Sequence, residues 1–300
     1  MGPRHLGAGG SRLMHDLLVA PFALGFMRRA LAGCLALSCA APPLGVFLVL
    51  RRMSLMSDVM QHGVLPGIAL GAAAAGLSVW AMGLGGILAG LAVALIAGWL
   101  ARGHGAREDS QLAGVYLIAL ALGVALISAQ RGIDLTHVLF GSVLAVDDMA
   151  LFAMAGVASI TLPVLALIWR PLILDSLDPG FLAAMGGKGG VWHAVFLALV
   201  VLCVVSGFVA LGTLMSVGLM MLPAIAARHW SIALAGQIRA SVAVAALASV
   251  AGLLVSYHTD IPAGPAIVLT AGALWLLGAL GGPHASLWAA MRATARPKTR

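Results

Sequence analysis

Charged residues are scarce in this chain of 300 residues. Only 9% are Asp, Glu, Lys or Arg, whereas a soluble domain has about 25%. Hydrophobic residues make up 62% of the chain, and the mean hydropathy is +1.07. This composition excludes an ordinary soluble fold. Because the apolar runs have nearly the ~20 residues that a helix needs to cross a bilayer, we predict an all-α polytopic membrane protein.

Cysteine is also scarce, and the common enzyme motifs are absent. Cys34, Cys39 and Cys203 lie in apolar runs without CxxC or Cys/His spacing, so we expect small buried residues rather than disulfides or a cysteine metal site. The chain has no HExxH, no GxSxG and no GxxxxGK[ST]. We therefore predict a protein that is not an enzyme and has no permanently bound cofactor.

Nine hydrophobic segments predict eight or nine crossings, because the seventh is either short or re-entrant. The segments are about 30–50, 56–79, 82–101, 111–129, 147–169, 191–210, 211–227, 240–257 and 264–282. Residues 30–282 form a single transmembrane domain. Residues 1–29 are predicted to be an N-terminal interfacial segment, and 283–300 a basic cytoplasmic tail.

The net charge of +7 reflects orientation in the membrane rather than nucleic-acid binding, since the basic residues stand singly or in pairs between apolar runs. If the loop after the first span is cytoplasmic, 12 of the 17 basic residues lie inside. They are Arg51, Arg52, Arg102, Arg107, Arg170, Lys188, Arg228, Arg239, Arg292, Arg296, Lys298 and Arg300. Membrane lipids are thus expected partners, and nucleic acid is not.

The outer loop 130–148 is rich in potential cation-attracting groups. It carries Asp134, His137, Asp147 and Asp148, and His258 lies in another outer connection. These residues either form an outer vestibule that attracts cations or belong to ordinary solvated loops, and the sequence leaves both readings open.

The inner loop 170–190 contains a helix-start signal at Asp178-Pro179 and a stop signal at Gly186-Gly187. We therefore predict a short cytoplasmic helix of about two turns between two spans. Its residues are Asp178, Pro179, Gly180, Phe181, Leu182, Ala183, Ala184, Met185 and Gly186.

Asp58 is the one acidic residue that lies clearly within a predicted span, and His62 follows it in the same segment. In a helix they stand at i and i+4 on one face, and a carboxylate with an imidazole is a ligand set for a divalent transition metal. Counted along a helix from Arg52, His62 lies about 15 Å deep, half of a ~30 Å hydrocarbon core. A polar pair bonded to neighbouring helices is the alternative.

Several blocks, taken in order, resemble the membrane subunit of bacterial zinc/manganese ABC importers. The blocks are Pro21-Phe22, Phe26–Leu31, Pro43–Ser54, Asp58-x-x-x-His62-x-x-x-Pro66-Gly67, Leu139–Leu144, Gly212–Ala224 and Pro262–Pro265. The resemblance extends from about residue 20 to 282. Two positions depart from the pattern: Gln61 replaces a small residue before the histidine, and Ser142 stands where some members carry Asp.

The resemblance implies a type II-like ABC importer permease in the bacterial inner membrane. It implies a homodimer with cytoplasmic ATP-binding subunits and a periplasmic metal-binding protein. Asp58 and His62 would line the metal path, and Asp178–Gly186 would form the coupling helix that docks on the ATPase.

The leading hypothesis is ATP-driven uptake of zinc, with manganese or iron as rivals. A secondary metal/proton antiporter is the alternative, but the spans contain a single acid and proton relays usually need more. An intramembrane enzyme is weaker still, because no nucleophile–base or three-ligand zinc pattern lies in the spans.

Overall fold

The structure is a computed structural model that describes residues 19–53, 56–76, 78–104, 108–129, 143, 146–178, 181, 184–185 and 189–284. The side chains of 97–104 and 108–112 are not part of this description. The predictions for 1–18 of the interfacial segment, 285–300 of the basic tail and 130–142 of the outer loop therefore lie outside the described residues.

The described residues fold into ten α-helices, and none of them is in a β-strand. A short 3₁₀ turn, Ala20–Ala23, comes first. The helices are α1 (Gly25–Leu50), α2 (Met56–Gly63), α3 (Leu65–Ala75), α4 (Val79–His104), α5 (Glu108–Ala129), α6 (Asp148–Leu177), α7 (Gly189–Leu211), α8 (Thr213–Ala227), α9 (Leu234–Thr259) and α10 (Ala263–Gly281).

Six helices in the described part are long and apolar enough to cross a membrane: α1, α4, α6, α7, α9 and α10. Helix α8 and the segment Ala113–Ala129 of α5 are apolar but shorter. The all-α membrane architecture is confirmed, whereas the number of eight or nine crossings stays a prediction.

The predicted segment 56–79 is not one continuous helix, because α2 and α3 are separate helices that meet at Val64. Pro66 has no N–H, so the usual bond to the carbonyl of His62 cannot form. Instead, the N–H groups of Gly67 and Ile68 both donate to the carbonyl oxygen of Val64 at 3.1 Å. The helical bonding pattern therefore restarts one residue after α2 ends.

Two predicted boundaries need correction. Helix α6 continues to Leu177, two turns beyond the predicted end at 169, so the inner loop begins at Asp178 rather than at 170. Pro171 within this helix removes one backbone bond without ending it. Helix α1 begins at Gly25, so 25–29 belong to the first span and not to the interfacial segment.

The chain reverses at Gly212, between α7 and α8. The hydroxyl of Ser216 donates to the carbonyl oxygen of Val204 at 3.0 Å, although twelve residues span about 18 Å in a continuous helix. Gly212 has a φ of 93°, which favours glycine. With 15 residues, α8 extends about 22 Å, less than a ~30 Å hydrocarbon core, as expected of a short segment.

Contacts at the helix ends show that α1, α4 and α6 run in one direction and that α7 runs in the opposite one. Arg51, at the end of α1, contacts the end of α6 and the start of α7; we call this end of the bundle the Arg51 end. At the opposite end, Trp80 donates to the sulfur of Met149 at 3.1 Å. These directions agree with the arrangement derived from the basic loops. Helix α7 lies at the centre, packed against α1, α4, α6 and α8.

The cysteines follow the expectation in two of three cases. Cys34 and Cys203 are fully buried among apolar side chains, while Cys39 is exposed on the outer surface of α1. All three are free thiols, so a disulfide contributes nothing here.

Candidate metal-binding site

Asp58 and His62 lie on one face of α2, as their spacing predicts. His62 Nε2 is 3.6 Å from Asp58 Oδ1, and the two side chains are 29% and 55% exposed in the single chain. The His62 ring stacks on the Tyr116 ring of α5, with 6.4 Å between centroids and 27° between planes. One face of the pair is therefore packed against the protein, and the other remains open to a cation.

The end of α2 lies level with the middle of two spanning helices. A Cβ placed on Gly63 would be 3.2 Å from Val93, midway along α4, and Gly90 of α4 lies directly against Val64 and Val201. Since Val201 is midway along α7, His62 lies near mid-height of the apolar bundle. The 15 Å estimate assumed a helix starting at Arg52, but the helix starts at Met56, so the depth follows from these neighbours instead.

The number of protein ligands is small. No group of three or more His, Cys, Asp or Glu side chains in the described ranges could hold a metal ion. Zinc usually takes three or four protein ligands, and manganese prefers octahedral oxygen-rich sites. Asp58 and His62 alone would therefore be an incomplete ligand set for either metal.

Three polar atoms on α2 are buried and lack a hydrogen-bond partner within the described part of the chain. They are Ser57 Oγ, Gln61 Oε1 and His62 Nδ1. Burying a polar atom without a partner costs about 1–3 kcal/mol. Together with Asp58, these side chains form one continuous polar patch, at positions i, i+1, i+4 and i+5 of an eight-residue helix.

The predicted vestibule residues have mixed roles. Asp147 caps α6, because its Oδ1 accepts a hydrogen bond from the N–H of Ala150 at 2.8 Å. Asp148 is exposed and lies 3.8 Å from Arg29 Nε. His258 is exposed near the end of α9 and packs edge-on against Tyr257. Asp134 and His137 lie outside the described residues.

Comparison with known proteins decides the family. The model of the family described as "ABC 3 transport family" matches residues 23–281. The chain belongs to the ABC 3 transport family. This match, together with the relatives described below, confirms the resemblance to the membrane subunit of metal ABC importers. The permease is thus a transporter subunit rather than an enzyme.

Two curated relatives of the ABC 3 permease are named for manganese. The ABC 3 permease is 34% identical over 253 residues to the manganese import system permease protein ScaB of Streptococcus parasanguinis. The alignment covers 84% of this chain and 89% of that protein. This permease is also 30% identical over 254 residues to the manganese transport system membrane protein MntC of Halalkalibacterium halodurans. That alignment covers 84% of this chain and 86% of MntC.

A solved structure supports the same fold. PsaBC from Streptococcus pneumoniae, in complex with Fab, matches with a TM-score of 0.79 and 31% identity, covering 90% of this chain and 96% of that one. These relationships favour an ABC importer over the secondary antiporter that the sequence left as an alternative.

The ABC 3 permease begins its predicted coupling segment with a capped helical turn. Asp178 Oδ1 accepts from the N–H of Phe181 at 2.9 Å, and the N–H of Met185 donates to the carbonyl of Phe181 at 3.1 Å. Phe181, Ala184 and Met185 are exposed. Pro179, Gly180, Leu182, Ala183 and Gly186 lie outside the described residues, so the helix of two turns and its docking role stay predictions.

Sequence reasoning missed a buried ionic cluster at the Arg51 end. Arg51 Nη2 is 2.7 Å from Asp175 Oδ2, with side chains only 7% and 13% exposed. Arg51 Nε donates to Ser176 Oγ at 2.9 Å, and Nη1 lies 2.7 Å from His193 Nδ1. The guanidinium also lies over the Phe196 ring, 5.1 Å from its centroid. The available signal was that Arg51 and Asp175 have opposite charges and both lie in connections predicted to face the inner side.

Proposed function

We propose that this ABC 3 permease, driven by ATP-binding subunits, imports Mn²⁺ along a path lined by Asp58 and His62. The observation that carries the proposal is this acid–imidazole pair, which stands deep in an apolar bundle on a helix that ends at mid-height. Ionisable groups at such a depth are costly and usually serve an ion path. A cation offsets that cost when it binds between them.

Manganese is the first candidate because the relatives above are named for it and because the site is hard. Asp58 offers a carboxylate and His62 an imidazole, and the buried thiols of Cys34 and Cys203 belong to other helices, α1 and α7. Carboxylate and water ligands suit Mn²⁺, whereas thiolates would favour zinc or copper. Zinc, which we expected first from the sequence, becomes the alternative, followed by iron.

A second copy of the chain would complete the ligand set. Two Asp58 carboxylates and two His62 imidazoles facing each other across a two-fold axis would supply four protein ligands. The half-exposed side of the pair supports this arrangement, since it is free to face a partner. A periplasmic metal-binding protein would deliver the ion on the outer side of the inner membrane.

The test of the metal path is uptake by the reconstituted complex. Asp58→Asn and His62→Ala are expected to abolish Mn²⁺ uptake and manganese-dependent growth while membrane expression stays normal. The matched control is Asp260→Asn, since Asp260 is exposed in the turn after α9 at a φ that Asn tolerates. Wild-type uptake in either site variant would defeat the assignment of that residue.

The exposed residues Phe181 and Met185 of the coupling segment would contact the ATP-binding subunit. Their side chains are 52% and 68% exposed, although both are apolar. Replacing both with Asp is expected to abolish co-purification of the ATP-binding subunit. Ile232→Asp is the control, because Ile232 is 77% exposed in the α8–α9 turn, outside the coupling segment. Retained co-purification in the double variant would contradict the docking role.

A further inference from the structure

Gln61 is a buried polar residue on α2, and the pairing of Asp58 with His62 does not explain why a polar residue is present there. Its side chain is 4% exposed, and its amide oxygen has no hydrogen-bond partner among the described residues. It also departs from the small residue that the family pattern led us to expect before the histidine. A large amide that is buried without a partner lowers stability, so its presence in this chain calls for a ligand.

The backbone beside Gln61 adds a second oxygen donor. Because Pro66 has no N–H, the carbonyl oxygen of His62 is excluded from the usual helical bond. This carbonyl lies at the C-terminal end of α2, where the helix dipole favours a cation. Broken helices in transporters hold cations through such ends and their free carbonyls. Two hard oxygen acceptors thus stand within one residue of the imidazole.

The position of Gln61 on the helix permits it to reach the pair. Successive residues differ by 100° around an α-helix, so Gln61 lies on the face adjoining that of His62. Its side chain has three rotatable torsions and ends in an oxygen with two lone pairs. A side chain of this length can reach the neighbouring face of α2, and moving its amide oxygen would break no hydrogen bond to the described residues.

We propose that Gln61 is a further cargo-binding residue, whose amide oxygen coordinates the ion beside Asp58 and His62 and favours Mn²⁺ over Zn²⁺. An amide oxygen is a hard ligand and suits manganese, whereas zinc prefers nitrogen and sulfur. This inference rests on the proposed function, because it names a determinant of selectivity in the same site.

The experiment measures the binding of each metal to the full complex in nanodiscs. Mn²⁺ and Zn²⁺ are titrated separately by equilibrium dialysis, with bound metal quantified by mass spectrometry. In Gln61→Leu the Kd for Mn²⁺ is expected to rise about tenfold or more, as loss of a supporting polar group usually causes. The Kd for Zn²⁺ should change by less than about threefold, because its ligands are the imidazole and the carboxylate.

A second variant and a control keep the test decisive. Gln61→Ala has a small side chain without an oxygen, so it should fold even if Gln61→Leu does not, and it should lose the same preference for Mn²⁺. Gln237→Leu is the control, because Gln237 is an amide at the start of α9 that donates to the carbonyl of Ile232. Its affinities should be those of the wild type.

The outcomes separate this inference from the proposed function. If the wild-type complex binds neither metal, the proposed function fails. If the wild type binds Mn²⁺ and both Gln61 variants keep its ratio of Mn²⁺ to Zn²⁺ affinity, only the role of Gln61 is overturned. An equal loss for both metals would also overturn its role in selectivity.

Discussion

The Arg51 cluster and helix α2 are two buried polar regions that begin only five residues apart. They differ in whether the described residues supply partners for their buried polar atoms. The Arg51 guanidinium is surrounded by a carboxylate, a hydroxyl, an imidazole nitrogen and an aromatic face. On α2, atoms of Ser57, Gln61 and His62 are buried without a partner in the described part of the chain.

This difference separates structural polar groups from functional ones. In the Arg51 cluster, the protein itself supplies the ligands that a buried charge needs, so the cluster joins the ends of α1, α6 and α7. On α2 the protein leaves acceptors unmatched, and the free energy lost in burying them is recovered only when something else binds. Under the proposed function, that partner is the transported metal ion.

The largest predicted effect is on the Arg51 cluster. Arg51→Ala leaves the Asp175 carboxylate 13% exposed and without its guanidinium. Breaking a buried pair by removing one partner costs about 3–5 kcal/mol. We expect a marked fall in the melting temperature and in the yield of folded protein, measured by thermal unfolding in detergent.

Two further variants sharpen this result. Arg51→Met combined with Asp175→Leu should recover much of the lost stability, because no unpaired charge remains. Arg228→Ala should change the melting temperature little, since Arg228 is exposed in the turn after α8. A melting temperature like that of the wild type in Arg51→Ala would contradict the structural role of the cluster.

A smaller effect is expected from two buried serines. Ser38 and Ser57 are both 0% exposed, but Ser38 Oγ donates to the carbonyl of Cys34 at 2.7 Å, whereas Ser57 Oγ lacks a partner among the described residues. Removing a satisfied hydroxyl costs about 1 kcal/mol, and removing an unsatisfied one relieves a penalty. Ser38→Ala should therefore lower the melting temperature, and Ser57→Ala should leave it unchanged or raise it.

Melting temperatures measured with added Mn²⁺ test whether the polar atoms of α2 belong to a metal site. Added Mn²⁺ should raise the melting temperature of the wild type and of Ser38→Ala alike, because the bound ion stabilises the folded state through Asp58 and His62. It should not do so in Asp58→Asn. A destabilised Ser57→Ala protein would show that its hydroxyl already has a partner in the fold.

Much of this molecule could be predicted from sequence because its strongest signals are local. Runs of about 20 apolar residues mark the spans, and the i, i+4 spacing of Asp58 and His62 places both on one helix face. Pro66 was part of the family pattern, but its consequence for α2 was not foreseen. Whether a proline kinks, splits or is tolerated in a helix depends on the neighbours, and Pro171 in α6 is tolerated.

Contacts between distant residues were beyond the reach of the sequence. Arg51 and Asp175 are 124 residues apart, and Asp175 was placed in a loop because Arg170-Pro171 looked like the end of a span. Tertiary packing extended the helix instead. The partner-free atoms of Ser57 and Gln61 were equally hidden, since a sequence shows which side chains are polar but not which neighbours they find.

The smallest predicted effects concern Asp147 and Asp148, adjacent carboxylates for which the sequence left open either an outer vestibule or an ordinary solvated loop. Asp147→Ala removes the N-cap of α6 and should cost about 1 kcal/mol of stability without reducing metal uptake. Asp148 is 75% exposed and 3.8 Å from Arg29 Nε, so Asp148→Ala should alter stability by less than about 0.5 kcal/mol.

If Asp148 attracts cations, its loss should slow uptake about twofold at low salt and have no effect at high salt, where screening removes the attraction. An uptake rate that is unchanged at both salt concentrations would identify Asp148 as an ordinary solvated carboxylate, and the cation path would then begin with α2.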